Sequence, residues 1–298
     1  MSNLIPLGPS LTGTLVAADI DATVAAYCDY LDAKVLESGQ VCADQAILWG
    51  KPALEGSPVV TLQSASGFPW VRVISNPDVV PARPFLELGW MALEVLVANV
   101  DRLAKRLADS PFEIYRPPAD LDVSDDIRAM QVIGPAGEVL YLTQVNAPVE
   151  PFDIPTAKCS VDRLFIPVSS CLRRDEGLAV YTKLGAAKNW TFDTRITSVN
   201  KAHGLDLSLR HPVATVQLAG QSMVEIDQLG VAKARPPTEG KLPAGIAMVS
   251  FVFDNIDNLG LKPISPPRRL EGKLYGGQRV ACCRGAGGEL IELIEAAA

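Results

Sequence analysis

The sequence predicts an α+β protein made of four modules, each with the order strand, helix and three further strands. Two observations support this fold class. Sequence landmarks in the first half of the chain recur in the second half at a nearly constant distance. Within each half, the same order of short apolar and amphipathic segments occurs twice.

Three landmarks establish the repeat between the halves. The pattern apolar-x-Asn-β-branched-Asp-x-Leu stands at 97–103 and again at 253–259, each time after an apolar run. The segment Gly-Glu followed by alternating apolar residues stands at 137–142 and at 288–293, and an apolar-Tyr pair stands at 26–27 and at 180–181. The three displacements lie between 151 and 156 residues. The chain is therefore interpreted as a tandem duplication.

The first half contains two modules. Apolar residues at i, i+3, i+4 and i+7 after Asp21 predict an amphipathic helix, and the same spacing follows Asn99, which is a favourable N-cap residue. Alternating or apolar runs between turn residues predict the strands. The predicted strands of the first half lie at 13–18, 34–38, 58–63, 70–74, 91–97, 112–116, 128–133 and 138–144.

The second half repeats this order with one shortened module. A helix is predicted around Leu178 and Tyr181, with strands near 162–168, 188–193, 213–218 and 223–227. In the last module the distance from the landmark Asp257 to Pro266 is nine positions, against 16 from Asp101 to Pro117 in the second module. About two helical turns are therefore expected to be missing there.

These segments also suggest a division into domains. An N-terminal domain is expected at 8–147, with modules at about 11–77 and 88–146, followed by a proline-containing linker at 148–158. A C-terminal domain is expected at 159–298, with modules at about 159–230 and 244–296. Neighbouring modules are expected to share a domain.

Composition limits the classes of function. The 298 residues are 48% apolar and 20% charged with a net charge of −7, which excludes a disordered chain and argues against a nucleic-acid binder. No apolar run approaches the roughly 18 residues needed to span a bilayer, and the first residues lack the features of a secretion signal. The six scattered cysteines are expected to be reduced, so we predict a cytoplasmic protein that binds neither nucleic acid nor membrane. A homodimer is a further expectation.

The segment 18–27, with Asp-x-Asp before a helix that carries Tyr27, resembles the opening of vicinal oxygen chelate proteins. The turns Gly-Pro-Ala-Gly-Glu and Gly-Ala-Gly-Gly-Glu at 134–138 and 285–289 are similar to the turn before that family's last strand. The family includes glyoxalases, bleomycin-resistance proteins and extradiol dioxygenases. The resemblance implies that the modules pair into two open barrels, or cups, in an extradiol-dioxygenase-like arrangement. The first and last strands of each module would then face the inside of a cup.

Metalloenzymes of this family place histidines on first strands and glutamates on last strands. Aligning the landmarks puts Met248 and Arg163 at the expected histidine positions of the second half, whereas Glu292 and Glu225 lie on its last strands. The matching positions of the first half are Thr12, Arg72, Ala92 (or Glu94, two residues on) and Tyr141. Thioether and guanidinium groups are poor ligands for the hard cations of this family. The sequence therefore predicts no metal or other cofactor, although a divalent metal held by other ligands remains an alternative.

Four residues are candidates for catalysis. Glu292 shares its strand face with apolar residues and requires a partner, and Arg163, which Glu225 could share, is the expected one. One of the two glutamates would act as a base, while Arg163 or Tyr141 would stabilise negative charge on the substrate. The candidate substrate-binding residues are Met248, Trp190, Tyr275, Trp90 and Arg72.

Three functions are consistent with these residues. The first is a metal-independent isomerase, lyase or hydrolase that transfers protons on a small aromatic or carbonyl compound. The second is a non-catalytic protein that binds a small aromatic molecule, as in the resistance branch of the family. The third is a metal-dependent dioxygenase with atypical ligands.

Overall fold

The computed structural model describes residues 5–121, 124–186 and 188–297. Within these ranges the chain forms sixteen β-strands and five α-helices, which confirms the α+β class. None of the described helices has the length and apolar character required to cross a membrane.

The four modules follow one another along the chain. The first contains β1 (Leu7–Ala17), α1 (Ile20–Leu31), β2 (Lys34–Gln40), α2 (Ala43–Leu48), β3 (Pro58–Gln63) and β4 (Pro69–Ser75). The second contains β5 (Gly89–Val97), α3 (Val100–Leu107), β6 (Glu113–Leu121), β7 (Ser124–Ile133) and β8 (Val139–Val145). The third contains β9 (Val161–Cys171), α4 (Arg174–Lys183), β10 (Asn189–Arg195), α5 (Thr197–Ala202), β11 (Arg210–Leu218) and β12 (Ser222–Gln228). The fourth contains β13 (Gly245–Phe253), β14 (Arg268–Arg269), β15 (Arg279–Arg284) and β16 (Leu290–Glu295).

Local signals were sufficient for most of these elements. Asn99 caps α3, because its side-chain oxygen accepts a hydrogen bond of 2.8 Å from the Arg102 backbone N–H. The shortened fourth module has only a 3₁₀ turn, Ile256–Asn258, where the others have an α-helix. The strand predicted at 58–63 is β3 with the same limits.

The pairing of the modules differs from the expected one. Sheet I has the strand order β14-β15-β16-β13-β1-β4-β3-β2, and sheet II has the order β10-β11-β12-β9-β5-β8-β7-β6. The first module therefore pairs with the fourth, and the second with the third, whereas the sequence predicted pairing within 8–147 and within 159–298. The segment 148–158 connects two strands of sheet II, β8 and β9. Repeats identify the modules but carry no signal for which strand edges meet.

The two sheets pack closely against each other. A Cβ on Gly13 of β1 would lie 2.3 Å from Leu93 Cδ1 of β5, so this position requires glycine. The concave faces of the curled sheets, called cup I and cup II below, lie on their other sides. Helices α2 and α5, which the sequence did not predict, cover cup I and cup II and contribute buried residues to their cores.

The recurring tyrosine and the recurring Gly-Glu turn contact each other across the modules. The Tyr27 hydroxyl of α1 donates a hydrogen bond of 2.6 Å to Glu138, in the turn before β8. Burial raises the pKa of Glu138 to about 7. In the second half, Tyr181 lies near Glu289, and burial followed by that carboxylate raises the pKa of Tyr181. The two landmarks thus come close together in both halves, and in the first half they are joined by a hydrogen bond.

Candidate active site

The centre of cup I is a buried ion pair. Glu292 on β16 lies opposite Ser250 of β13, and its Oε2 accepts hydrogen bonds from Arg72 Nη2 at 3.1 Å and from Ser250 Oγ at 2.5 Å. Its Oε1 accepts hydrogen bonds from Trp49 Nε1 at 2.7 Å and from the Tyr275 hydroxyl at 3.0 Å. The Glu292 carboxylate is therefore fully engaged by protein donors.

Arg72 is enclosed as completely as its partner. Its Nε and Nη2 donate to Thr14 Oγ1 at 3.0 and 2.8 Å, and its Nη1 donates to the Tyr275 hydroxyl. The guanidinium also lies 5.0 Å from the centre of the Trp49 ring, which is a cation–π distance. The side chains of Arg72 and Glu292 are 1% and 0% exposed. This pair holds the cup together and leaves no lone pair of Glu292 facing solvent.

The partner predicted for Glu292 was wrong. Arg163 is placed elsewhere, with its guanidinium 4.9 Å from the Phe68 ring centre and its Nη2 3.4 Å from the Gly220 carbonyl oxygen. The first-strand residue opposite Glu225 is Val168, five residues after Arg163. The segment after β9 has two residues, as after the other first strands, but Arg173 stands where a capping Asp or Asn stands in the other three modules, so the landmark that would have aligned this position is missing.

In the fourth module the landmark alignment was wrong by two residues. Ser250, and not Met248, lies opposite Glu292, and Met248 is a fully buried core residue two positions earlier on β13.

The residues of cup I do not fit a metal ion. The Arg72 guanidinium occupies one of the positions that would supply a ligand, and it already neutralises Glu292 at 3.1 Å. In cup II the corresponding residues are Glu94, Glu225 and Tyr141, which supply two carboxyl groups and a phenol. Across residues 5–121, 124–186 and 188–297, no group of three or more His, Cys, Asp or Glu side chains is arranged to hold a metal ion.

Cup II brings Glu94, Tyr141 and Glu225 together at the positions equivalent to those of the cup I cluster. Glu94 of β5 lies beside Tyr141 of β8, and Glu225 of β12 lies opposite Thr215 of β11. These side chains line an open cavity of about 200 Å³, together with Ser198 from α5. Glu94, Tyr141 and Glu225 are half-buried, so a small molecule in the cavity could contact them.

Strand geometry explains why these residues point into cup II. Alternation along β12 places Glu225 and Asp227 on the same face. In β5 the register shifts between Trp90 and Ala92, which indicates a bulge, and the extra residue directs Ala92 and Glu94 into the cup. The same bulge sends Trp90 to the opposite face, where its Nε1 donates to the Leu290 carbonyl at 2.7 Å.

The carboxyl groups of cup II have raised pKa values. Burial raises the pKa of Glu94 to about 8, and the charge of Glu225 adds to the rise, although a 2.7 Å hydrogen bond from Thr143 Oγ1 opposes it. Burial raises the pKa of Glu225 to about 7. The pKa of Tyr141 is raised by burial and then by Asp227, Glu225 and Glu94. Near neutral pH this cluster holds both protons and proton acceptors.

Asp227 is a third carboxyl group of this cluster that the sequence did not reveal as a candidate. It is fully buried, and neither of its carboxylate oxygens has a hydrogen-bond partner among the described residues. Burial and then the charge of Glu225 raise its pKa well above the usual range. We therefore treat Asp227 as a protonated acid behind the cavity. The alternation Glu-Ile-Asp at 225–227 was the one signal that could have identified it.

The nine candidate residues thus fall into three groups. Arg72, Tyr275, Met248 and Glu292 belong to cup I, and Tyr141 and Glu225 belong to cup II. Arg163, Trp90 and Trp190 line neither cup cluster. Trp190 lies on the edge strand β10, with its ring 4.9 Å from Phe152.

Comparison with solved structures identifies the fold. Glyoxalase I from Zea mays superposes with a TM-score of 0.63 and 16% identity, over 96% of this chain and 92% of that chain. A candidate dioxygenase from Bacillus subtilis also superposes with a TM-score of 0.63, at 9% identity over 96% of this chain and 84% of that chain. No protein-family model and no curated protein sequence matches the chain. The chain therefore has the vicinal oxygen chelate fold, as the resemblance implied.

Proposed function

We propose that the protein is an enzyme that uses the carboxyl groups of cup II to transfer protons on a small carbonyl or aromatic compound. The observation that supports this proposal most strongly is the pair Glu94 and Glu225, half-buried side by side at a cavity, with pKa values raised to about 8 and about 7. A base and an acid are most effective when their pKa values lie near the working pH.

The reaction that this pair supports is an enolisation. The Glu225 carboxylate removes a proton from the carbon next to a carbonyl group, so the C–H bond breaks and an O–H bond forms on Glu225. The electron pair of that C–H bond moves toward the carbonyl oxygen, which takes a proton from Glu94. The Tyr141 hydroxyl donates a hydrogen bond to the same oxygen while charge develops there. When the deprotonated carbon carries a hydroxyl group, the intermediate is an enediol. Glu225 then returns its proton to the former carbonyl carbon, while the hydroxyl on the deprotonated carbon loses its proton to the Glu94 carboxylate and becomes the new carbonyl group. The substrate is isomerised and both glutamates regain their starting protonation states.

The cavity limits the substrate to a small molecule. Its volume of about 200 Å³ lies below the range typical of drug-sized ligands. The mouth carries Arg116 and Arg195, which favour a substrate with negative charge or a polarised carbonyl group. Met130 and Leu121 contribute apolar surface to the wall, which also contains the polar residues Asp120, Gln131 and Thr194. The two similar structures are named as a glyoxalase and a candidate dioxygenase, which supports small-molecule chemistry in this fold.

A solvent-exchange assay tests the proposal. The protein is incubated in D₂O with a panel of small ketones, 2-oxo acids and hydroxyaldehydes, and loss of the proton signal next to the carbonyl group is followed by NMR. We expect enzyme-dependent exchange for at least one compound, and a loss of at least about 100-fold in Glu225→Gln, since a general base contributes roughly that much. Binding of the compound, measured by calorimetry, should persist in this variant.

Two control variants identify the cup that acts. Glu176→Gln changes an exposed glutamate paired with Arg173, and Glu292→Gln changes the equivalent residue of cup I. Both folded variants should retain exchange. Binding without exchange in the unmodified protein would favour the non-catalytic alternative. Exchange that Glu225→Gln leaves unchanged would refute the assignment to cup II.

A further inference from the structure

A second cavity lies outside both cups, where the start of β5 meets the segment 234–243 and the β15–β16 hairpin. Its volume is about 360 Å³, larger than that of the cup II cavity. Buried apolar side chains form part of its wall, including Trp90, Leu242 and Ile246. Three cationic side chains also line it, namely Lys51, Arg235 and Arg284. An apolar cavity with a few charged groups is the usual form of a small-molecule site.

Arg235 is fixed in the wall of this cavity by backbone oxygens. Its Nη1 donates to the Ile246 carbonyl at 2.6 Å, its Nη2 to the Trp90 carbonyl at 2.5 Å, and its Nε to the Leu88 carbonyl at 3.2 Å. These bonds use one N–H on each nitrogen, and a guanidinium has five N–H groups. Two donors therefore remain in a side chain that cannot turn away.

Lys51 and Arg284 provide two more positive charges. Lys51 Nζ lies 3.3 Å from the Thr238 hydroxyl, its nearest polar partner. Lys51 and Arg284 line the same cavity, and burial and then the charge of Arg284 lower the pKa of Lys51. Among the described residues, neither Lys51, Arg235 nor Arg284 forms an ion pair with a carboxylate. Glu87 and Glu289 act on Arg235 without forming an ion pair with it, and both oppose the lowering of its pKa by burial.

Glu289 is the acidic residue of the wall. Its carboxyl group is turned into its own hairpin, where a Cβ on Gly285 would lie 2.0 Å from Oε1. Burial raises its pKa to about 7, so near and below neutral pH a substantial fraction of this group is uncharged. The net charge facing the cavity is therefore positive.

From these contacts we infer that this cavity is a binding site for a small organic anion, a carboxylate or phosphate group carried on an apolar body. The anion would lie between Lys51, Arg284 and the two remaining N–H groups of Arg235, and the body would pack on Trp90 and Ile246. Charge-assisted hydrogen bonds to guanidinium and ammonium groups supply the selectivity for an anion. The site is separate from the cup II carboxyl groups and does not depend on their function.

Calorimetric titration with three probes tests this inference. Benzoate and phenyl phosphate carry the two anion types on the same ring, and benzyl alcohol is the uncharged control. We expect at least one anion to bind to the unmodified protein at millimolar concentration or below, and benzyl alcohol to bind at least about tenfold more weakly. A stronger response to phenyl phosphate than to benzoate, or the reverse, identifies the anion type.

Charge-removing variants locate the binding. The double variant Lys51→Met/Arg284→Gln should weaken anion binding by at least about tenfold, because one lost charge-assisted contact is worth about that factor. Lys262→Met removes an exposed lysine outside the cavity and should leave the affinity unchanged. Melting temperatures of the unliganded variants report whether they are folded. Absence of anion binding in the unmodified protein, or equal affinity in the double variant, would overturn the inference.

Discussion

The buried pair of cup I allows a quantitative prediction for Arg72→Met. Methionine fills similar space but leaves the Glu292 carboxylate, which is 0% exposed, without its cation. Trp49, Tyr275 and Ser250 would still donate to it. Removing one partner of a buried ion pair costs about 3–5 kcal/mol of unfolding free energy. We expect a loss in this range, which corresponds to a fall of roughly 5–8 °C in melting temperature for a chain of 298 residues.

Denaturant unfolding measures this loss, and two further variants interpret it. Arg128→Met makes the same change in a pair with Asp101 and Asp120 on the surface, where solvent screens the charges and a much smaller loss is expected. Arg72→Met/Glu292→Gln removes both charges and should recover about 2 kcal/mol relative to Arg72→Met alone, because no charge is left unpaired. If Arg72→Met costs no more than Arg128→Met, the buried pair does not hold cup I together as described.

Three further predictions concern stability. Tyr27→Phe deletes the 2.6 Å hydrogen bond to buried Glu138 and should lower the free energy of unfolding, measured with denaturant, by about 1–3 kcal/mol. The control is Tyr30→Phe, which should be neutral because no hydrogen bond of the Tyr30 hydroxyl is described. Equal effects of the two variants would contradict the contact between Tyr27 and Glu138. A Cβ at Gly287 would lie 2.2 Å from the Ser170 carbonyl oxygen, so Gly287→Ala should lower the free energy of unfolding by about 1–3 kcal/mol. Gly230 has open space around it, and Gly230→Ala is therefore the control. A similar loss in both variants would refute this reasoning. The pKa of Glu94 is about 8 in the folded state and about 4.3 in the unfolded chain, so the folded state binds this proton more tightly. The resulting contribution to the free energy of unfolding is complete below about pH 4.3 and is lost as the pH rises toward 8. Glu94→Gln should therefore reduce the decline in unfolding free energy between about pH 5 and pH 8, and an unchanged slope would contradict the raised value.

The fold was largely predictable because its signals are local. An N-cap such as Asn99, a helical stripe or a turn glycine acts within a few residues, and duplication showed each pattern more than once. The missing helix of the fourth module could be predicted by counting residues. Which module pairs with which depends on strand edges more than 200 residues apart, as where Thr12 lies opposite Ser250, and nothing local encodes that choice.

The site was predicted only in part, for two physical reasons. A bulge reverses which residues of a strand face inward, so the alternation of β5 did not show that Trp90 and Glu94 lie on opposite faces. Helices α2 and α5 are six residues each, too short for a clear periodic pattern, yet Trp49, which follows α2, and Ser198 of α5 complete the two clusters. Glu292 was expected to need a cationic partner, and it has one, but the side chain is that of Arg72 from the opposite end of the chain.

A carboxyl titration tests the central claim most directly, namely that cup II contains two groups able to exchange protons near neutral pH. The protein is labelled with ¹³C at the glutamate carboxyl carbon, and the Glu94 and Glu225 signals are assigned from Glu94→Gln and Glu225→Gln. The account predicts that the pair titrates with apparent pKa values near 7 and 8, well above the ordinary value for a glutamate, and the two variants separate these signals from those of Glu138 and Glu289, whose pKa values are also raised to about 7. Two midpoints near the ordinary value of about 4.3 would contradict it.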